Sequence, residues 1–146
     1  MANVNERRIS FNKEDYEIVK RLQLEPLFKK LQLIDIFALA LLYGKKQGFR
    51  TPLDKSKTGR IREKTIENSN VHYLMMALAV DEVGNFDILA KRDDYFTICE
   101  EYAKTGLSFL EADYMNNPKN FLRDLELETL RYFGDVIEPN IPSEEE

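Results

Sequence analysis

The stretch 31-LQLIDIFALALLYGKKQGFRTPL-53 decides how the chain is read. From Leu31 to Tyr43 nearly every side chain is apolar; then a glycine follows and the chain turns basic. A bilayer span needs about 20 apolar residues. This run is shorter, and Asp35 inside it would be costly in lipid. The alternative is a helix of a folded core. Ile34, Phe37, Ala38, Leu41 and Leu42 fall on one wide face at helical spacing, and Leu33, Ile36 and Ala40 carry that face further round. Gln32, Asp35 and Lys46 mark the remaining polar strip. A helix apolar on almost all sides is normally central. The pattern predicts a helix over Leu31–Lys46, with Gly44 and Gly48 flanking its exit. Lys45 and Lys46 suit the negative end of its dipole.

Upstream, Arg7-Arg8-Ile9-Ser10-Phe11 alternates polar and apolar residues, as a short strand or extended arm does. Ser10 or Asn12 can cap a helix over about Lys13–Leu24, with Glu14 and Asp15 favourable in its first turn. Pro26 closes it. Downstream, residues 48–70 read as a long loop with a possible short turn or hairpin near Ile61–Ile66. Asn68, Ser69 or Asn70 caps a third helix over Val71–Val83, apolar on most sides and ended by Gly84-Asn85. Phe86–Ala90 makes one short turn. Asp93 or Asp94 caps a long helix to about Met115, broken by Asn117-Pro118. A last helix runs from about Lys119 to Phe133 and stops at Gly134. The sum is an all-α, single-domain bundle of about five helices over residues 1–134. Its second and third helices lie at the centre, and a long basic loop follows the second. Residues 135–146, a Pro-containing acidic tail, are expected to be disordered.

The 146 residues suffice for one core, and the 32% charged residues imply a heavily solvated surface. The start, MANVNERRISFNKED, lacks the apolar region of a secretory signal, so a cytoplasmic protein with no membrane contact is expected. Residues 1–64 carry 15 Lys and Arg against 8 Asp and Glu, and residues 65–146 carry 6 against 18, so the net charge of −5 conceals halves of +7 and −12. The basic residues cluster as Lys45, Lys46, Arg50, Lys55, Lys57, Arg60, Arg62 and Lys64, with Asp54 and Glu63 the acids among them. Lys and Arg on an adaptable segment with Gly, Ser and Thr suit phosphate-backbone contacts, and Phe49 could stack on a base. These eight cations are the candidate nucleic-acid-binding residues. A second reading is that the acidic half neutralises them within the fold.

Other chemistries find little material. His72 and Cys99 are the single histidine and single cysteine, and both fall on apolar helices. A zinc site needs about four Cys or His ligands. Asp93-Asp94 is better explained by helix capping than by a cation. No Gly-x-x-x-x-Gly-Lys-Ser/Thr, Gly-x-Gly-x-x-Gly or Gly-x-Ser-x-Gly pattern occurs. No catalytic residue, metal ligand or cofactor is therefore expected. The order strand, helix, helix at the N-terminus also suggests a ribbon-helix-helix regulator, with Arg7 and Arg8 near DNA.

Several stretches together carry a resemblance. They are Asp35-Ile36-Phe37, Gly44-Lys45-Lys46, Arg50-Thr51-Pro52-Leu53, Ala77-Leu78-Ala79, Gly84-Asn85-Phe86-Asp87-Ile88-Leu89, Glu100-Glu101-Tyr102-Ala103 and Gly106-Leu107. In this order, over about residues 25–112, the chain resembles a small bacterial family found beside DNA phosphorothioation (Dnd) systems, the fourth of the Dnd-system-associated proteins. The resemblance implies a non-enzymatic accessory in antiviral, restriction-type defence. Its implied partner is a larger ATPase or nuclease subunit; DNA is the partner that the basic cluster suggests, and a homo-oligomer is a further expectation. The alternatives are the ribbon-helix-helix regulator and a pure protein–protein adaptor.

Overall fold

A computed structural model describes residues 6–137. Among them are six α-helices and one two-stranded sheet. In chain order these are β1 (Ile9–Phe11), α1 (Lys13–Gln23), α2 (Leu33–Gln47), β2 (Thr58–Ile61), α3 (Glu63–Glu67), α4 (Val71–Val83), a 3-10 turn (Phe86–Ala90), α5 (Arg92–Asn116) and α6 (Phe121–Ile137). The chain is mostly helical, as expected, but the small sheet is an addition. The chain divides into two compact units, Met1–Glu111 and Ala112–Glu146.

In the first unit α2 begins where the sequence turns apolar. Gln32 is its N-cap residue, and the Asp35 carboxylate accepts the Gln32 backbone N–H at 2.9 Å. The acid that would be costly in lipid thus satisfies a free donor at a helix start. The helix ends at Gly48, whose φ of 85° is left-handed. Gly44, expected at the exit, instead lies buried within the helix. A Cβ there would collide with the backbone carbonyl of Tyr102, and one on Gly106 would collide with that of Ala40. The two glycines let α2 and α5 cross backbone to backbone.

That crossing corrects the expected centre. α5 shares it with α2, whereas α4 buries only Met75, Leu78 and Ala79. From Tyr95 to Leu107 no residue of α5 is exposed. Three of its charged residues in this span are paired. Glu100, 4% exposed, takes both terminal nitrogens of Arg7 at 2.8 and 2.9 Å and the Ser10 N–H at 2.6 Å. Glu101 takes Arg50 at 3.2 Å, and Lys104 donates to Asp15 at 2.8 Å. Arg7 also reaches Asp93 at 2.6 Å, so Asp93 serves as an ion partner in the first turn of α5, which starts at Arg92.

The segment expected as a loop holds β2 and α3. β2 pairs antiparallel with β1 in the register Ile9 to Ile61, Ser10 to Gly59 and Phe11 to Thr58, with a bulge between Ile9 and Ser10. The strand read in RRISF is therefore partnered within its own chain, unlike the strand shared between two copies in a ribbon-helix-helix dimer. Buried Asn12 ties the approach to β2 onto the start of α1. Its amide donates to the Asp54 carboxylate at 2.7 Å and to the Ser56 hydroxyl at 3.2 Å. Ser56 in turn accepts the Lys13 N–H at 3.1 Å, one of the first-turn donors that have no partner within the helix.

α4 matches its expected span, from the Ser69 hydroxyl that accepts the Val71 N–H to Gly84 at φ 77°. The 3-10 turn begins where the Asn85 side-chain oxygen, Oδ1, accepts the Asp87 N–H. In the second unit α6 continues through Gly134 to Ile137 rather than stopping at the glycine. An alanine-like Cβ at Gly134 would meet nothing within 4 Å, and its backbone needs no positive φ. Tyr114 and Phe121 pack edge to face, with centroids 5.4 Å apart. The acidic tail lies, from residue 138 on, outside the described residues.

Candidate nucleic-acid interface

Seven of the eight cations separate into two groups, and Lys46, in the last turn of α2, stands apart from both. Lys45 and Arg50 are held by acids of α4 and α5. Lys45 Nζ lies 2.6 Å from Asp81 and sits over the Tyr102 ring at 5.3 Å. Arg50 Nε lies 3.1 Å from Glu82 and its Nη1 3.2 Å from Glu101. The Tyr102 hydroxyl donates to Glu82. The hydrogen bond to Asp81 raises the Lys45 pKa, and burial followed by the Glu82 contact raises that of Tyr102. The backbone beside Arg50 is fixed as well. Thr51 N–H donates to the Glu101 carbonyl at 3.2 Å, and the Thr51 and Thr105 hydroxyls meet at 2.7 Å. Here the acidic half does neutralise the basic segment.

The second group lies on the turn, strand and helix that follow. Lys55, Lys57 and Lys64 are exposed, and none has an ion partner among the described residues. Arg60 is exposed and its guanidinium stacks 4.0 Å over the Tyr16 ring. Such stacking holds the group in place while leaving its N–H donors available. Arg62 is exposed, with Glu6 3.6 Å away. Lys46 is exposed and is engaged within the protein. Arg60 and Arg62 line an open cleft of about 240 Å³ with Ile61 and Thr65, closed on its other side by Gln32, Leu33 and Ile34. The start of α2 therefore borders a cleft whose opposite wall carries Arg60, Arg62 and Thr65, residue types suited to a phosphate.

Phe49, singled out as a stacking candidate, already packs edge to face on Phe109, with centroids 6.4 Å apart. Periodicity could not show this partner, since the two lie far apart in the chain. His72 and Cys99 are each engaged separately. His72 Nε2 lies 2.8 Å from the Tyr95 hydroxyl, and the Cys99 thiol donates to the Met75 carbonyl at 3.6 Å. Burial pushes the Cys99 thiol far above its ordinary pKa, away from the thiolate a nucleophile needs. Among the described residues no three His, Cys, Asp or Glu side chains are grouped to hold a metal ion. No described helix is long and apolar enough to cross a membrane.

No curated protein and no solved structure matches the chain. The family described as DNA sulphur modification system-associated protein 4 does match, over residues 8–132. This is the family indicated by the order of motifs, and the match reaches beyond those motifs at both ends. The chain thus belongs to the DNA sulphur modification system-associated protein 4 family.

Proposed function

We propose that the protein is a non-enzymatic accessory of a DNA sulphur modification system that holds the DNA backbone through Lys55, Lys57, Arg60, Arg62 and Lys64. The observation that carries this reading is the cleft where Arg60, Arg62 and Thr65 meet the start of α2, with three unpaired ammonium groups on the same segment. Lys45 and Arg50 have a different role here. They hold the C-terminal ends of α2 and α4 against the middle of α5, so the presented charge begins at Lys55.

The test is binding of duplexes of unrelated sequence, followed by fluorescence anisotropy across a salt series. Backbone contacts release counterions, so affinity falls steeply with salt, and each contact removed lowers the log–log slope by about 1. Lys55→Glu, Lys57→Glu and Lys64→Glu combined should weaken binding to every sequence alike. Arg50→Glu should lower stability and leave affinity near that of the native protein. Absent or salt-insensitive binding would sink the DNA reading.

One observation favours a second reading, an adaptor for a larger ATPase or nuclease subunit of the system. α6 is amphipathic and acidic, yet Leu122, Leu127 and Leu130 are exposed. Loss of a co-purifying system component from the Leu127→Asp, Leu130→Asp variant, with DNA binding absent, would select it.

A further inference from the structure

The sequence marks α4 as a buried helix, and the structure buries only one side of it. α2, α3 and the 3-10 turn cover the side that holds Met75, Leu78 and Ala79. The opposite side presents Tyr73, Ala77, Val80 and Gly84 in one stripe at helical spacing, with Met76 and Val83 along one flank. Tyr73 is 70% exposed, and Phe86, just past the Gly84 cap, is 75% exposed. No charged residue occurs from Asn68 to Val80, in a chain where 32% of residues are charged. An apolar stripe of this kind on a heavily charged surface marks an interface.

We propose that α4 is the contact by which two copies of this chain pair, antiparallel about a two-fold axis near Ala77. Three observations select a second copy as the occupant. First, the stripe is self-complementary in shape. Tyr73 projects on one side of the small Ala77, and Val80 and Gly84 leave room on the other. A two-fold axis at Ala77 sets each large side chain against the other copy's shallow end. Second, the polar groups match. Tyr73 precedes Ala77 by four residues and Asp81 follows it by four, so antiparallel pairing brings each phenol hydroxyl, a donor, to the partner's Asp81 carboxylate. Third, self-pairing brings no unbalanced like charges together. The centre carries none, and the two acids at the rim are already neutralised, Asp81 by Lys45 at 2.6 Å and Glu82 by Arg50 at 3.1 Å. The pairing is independent of DNA binding, which uses the segment from Lys55 to Lys64.

Sedimentation and light scattering across a dilution series test the pairing on the full chain. The native protein should show twice the monomer mass, and Ala77→Glu should weaken self-association by roughly a hundredfold or more, because it places two facing carboxylates on the axis. Ala77 is exposed, so this variant should keep the native helical circular dichroism. Ala77→Cys supplies a second readout. The native thiol, Cys99, is buried, so mild oxidation should link two chains through position 77 alone. Leu24→Cys, at a side chain 73% exposed at the end of α1, should not link. A native protein that stays monomeric overturns the proposal. So does a dimer that survives Ala77→Glu, or one that Ala77→Cys fails to cross-link.

Discussion

Replacing Gly44 by alanine tests how closely α2 and α5 cross. In an exposed helix interior this change stabilises by about 1 kcal/mol, because alanine is the better helix former. Here the added Cβ would collide with the Tyr102 carbonyl, and the matching Cβ at Gly106 with the Ala40 carbonyl. Each obstacle is backbone in the middle of a buried helix, so neither can rotate aside as a side chain would. The helices must part. Overpacking of this kind costs about 1–3 kcal/mol. Parting the helices also thins the packing of Phe37, Leu41, Ala103 and Leu107, all buried around the crossing. A gap of about 0.5–1 Å forfeits a quarter to a half of each dispersion contact. The expected net loss is about 2–3 kcal/mol for either single variant, with a fall in Tm of roughly 5–10 °C. The double variant should lose less than the sum, because one separation relieves both collisions. Urea unfolding followed by circular dichroism measures the loss as a lower midpoint at unchanged slope. Gly134→Ala in α6 is the control. Nothing lies near its added methyl, and it should be neutral or stabilising by up to about 1 kcal/mol. A Gly44→Ala protein as stable as the native one would refute the close crossing.

Two further outcomes follow from the charge network. Glu100→Ala removes the bidentate partner of Arg7 and the acceptor of the Ser10 N–H, and leaves the half-buried guanidinium with the exposed Asp93 as its remaining ion partner. Because Arg7 keeps some solvent contact, the expected cost is about 2–4 kcal/mol in the same unfolding assay; a cost below about 1 kcal/mol would mean that the clasp is not stabilising the fold. The Asp54 carboxyl is held below its ordinary pKa, first by the Ser56 hydroxyl and then by the Ser56 N–H. A depressed carboxylate contributes stability above its unfolded-state pKa, and that contribution is lost as pH falls through the folded-state value. Ser56→Ala should therefore move the Asp54 titration, followed by NMR, upward toward the ordinary carboxylate range, and an unmoved titration would count against the assignment.

The helices of this protein were legible in the sequence because their signals are local. Leu31–Tyr43 is apolar at helical spacing, and the cap residues Ser69 and Gly84 bracket α4 at the expected positions. Pro26 and Asn117-Pro118 interrupt the pattern between helices. The order of short motifs also sufficed to indicate the family. Of the sheet, β1 was legible in the alternation of RRISF, but β2 and its pairing with β1 were not. β2 is four residues long, its TGRI pattern is weak, and its partner lies two helices away in the chain. Gly134 misled because a glycine read as a stop can also continue a helix when its backbone stays in the ordinary helical region.

Charge shows the same division between local and non-local signals. The sequence by itself determined that a basic half precedes an acidic half and where the eight cations lie along the chain. Only the tertiary structure decided which of them remain available. Lys45 and Arg50 are matched by Asp81, Glu82 and Glu101, while Lys55, Lys57 and Lys64 are left to solvent. The same holds for the core. The unbroken apolar run of α4 makes it look central, yet the structure gives that place to α5, whose Glu100, Glu101 and Lys104 are neutralised by distant partners. A charge can enter a core when a distant partner neutralises it, and an apolar helix can stay open when another surface is meant to cover it. Both conditions concern groups far apart in the chain or on another chain, which no local pattern records.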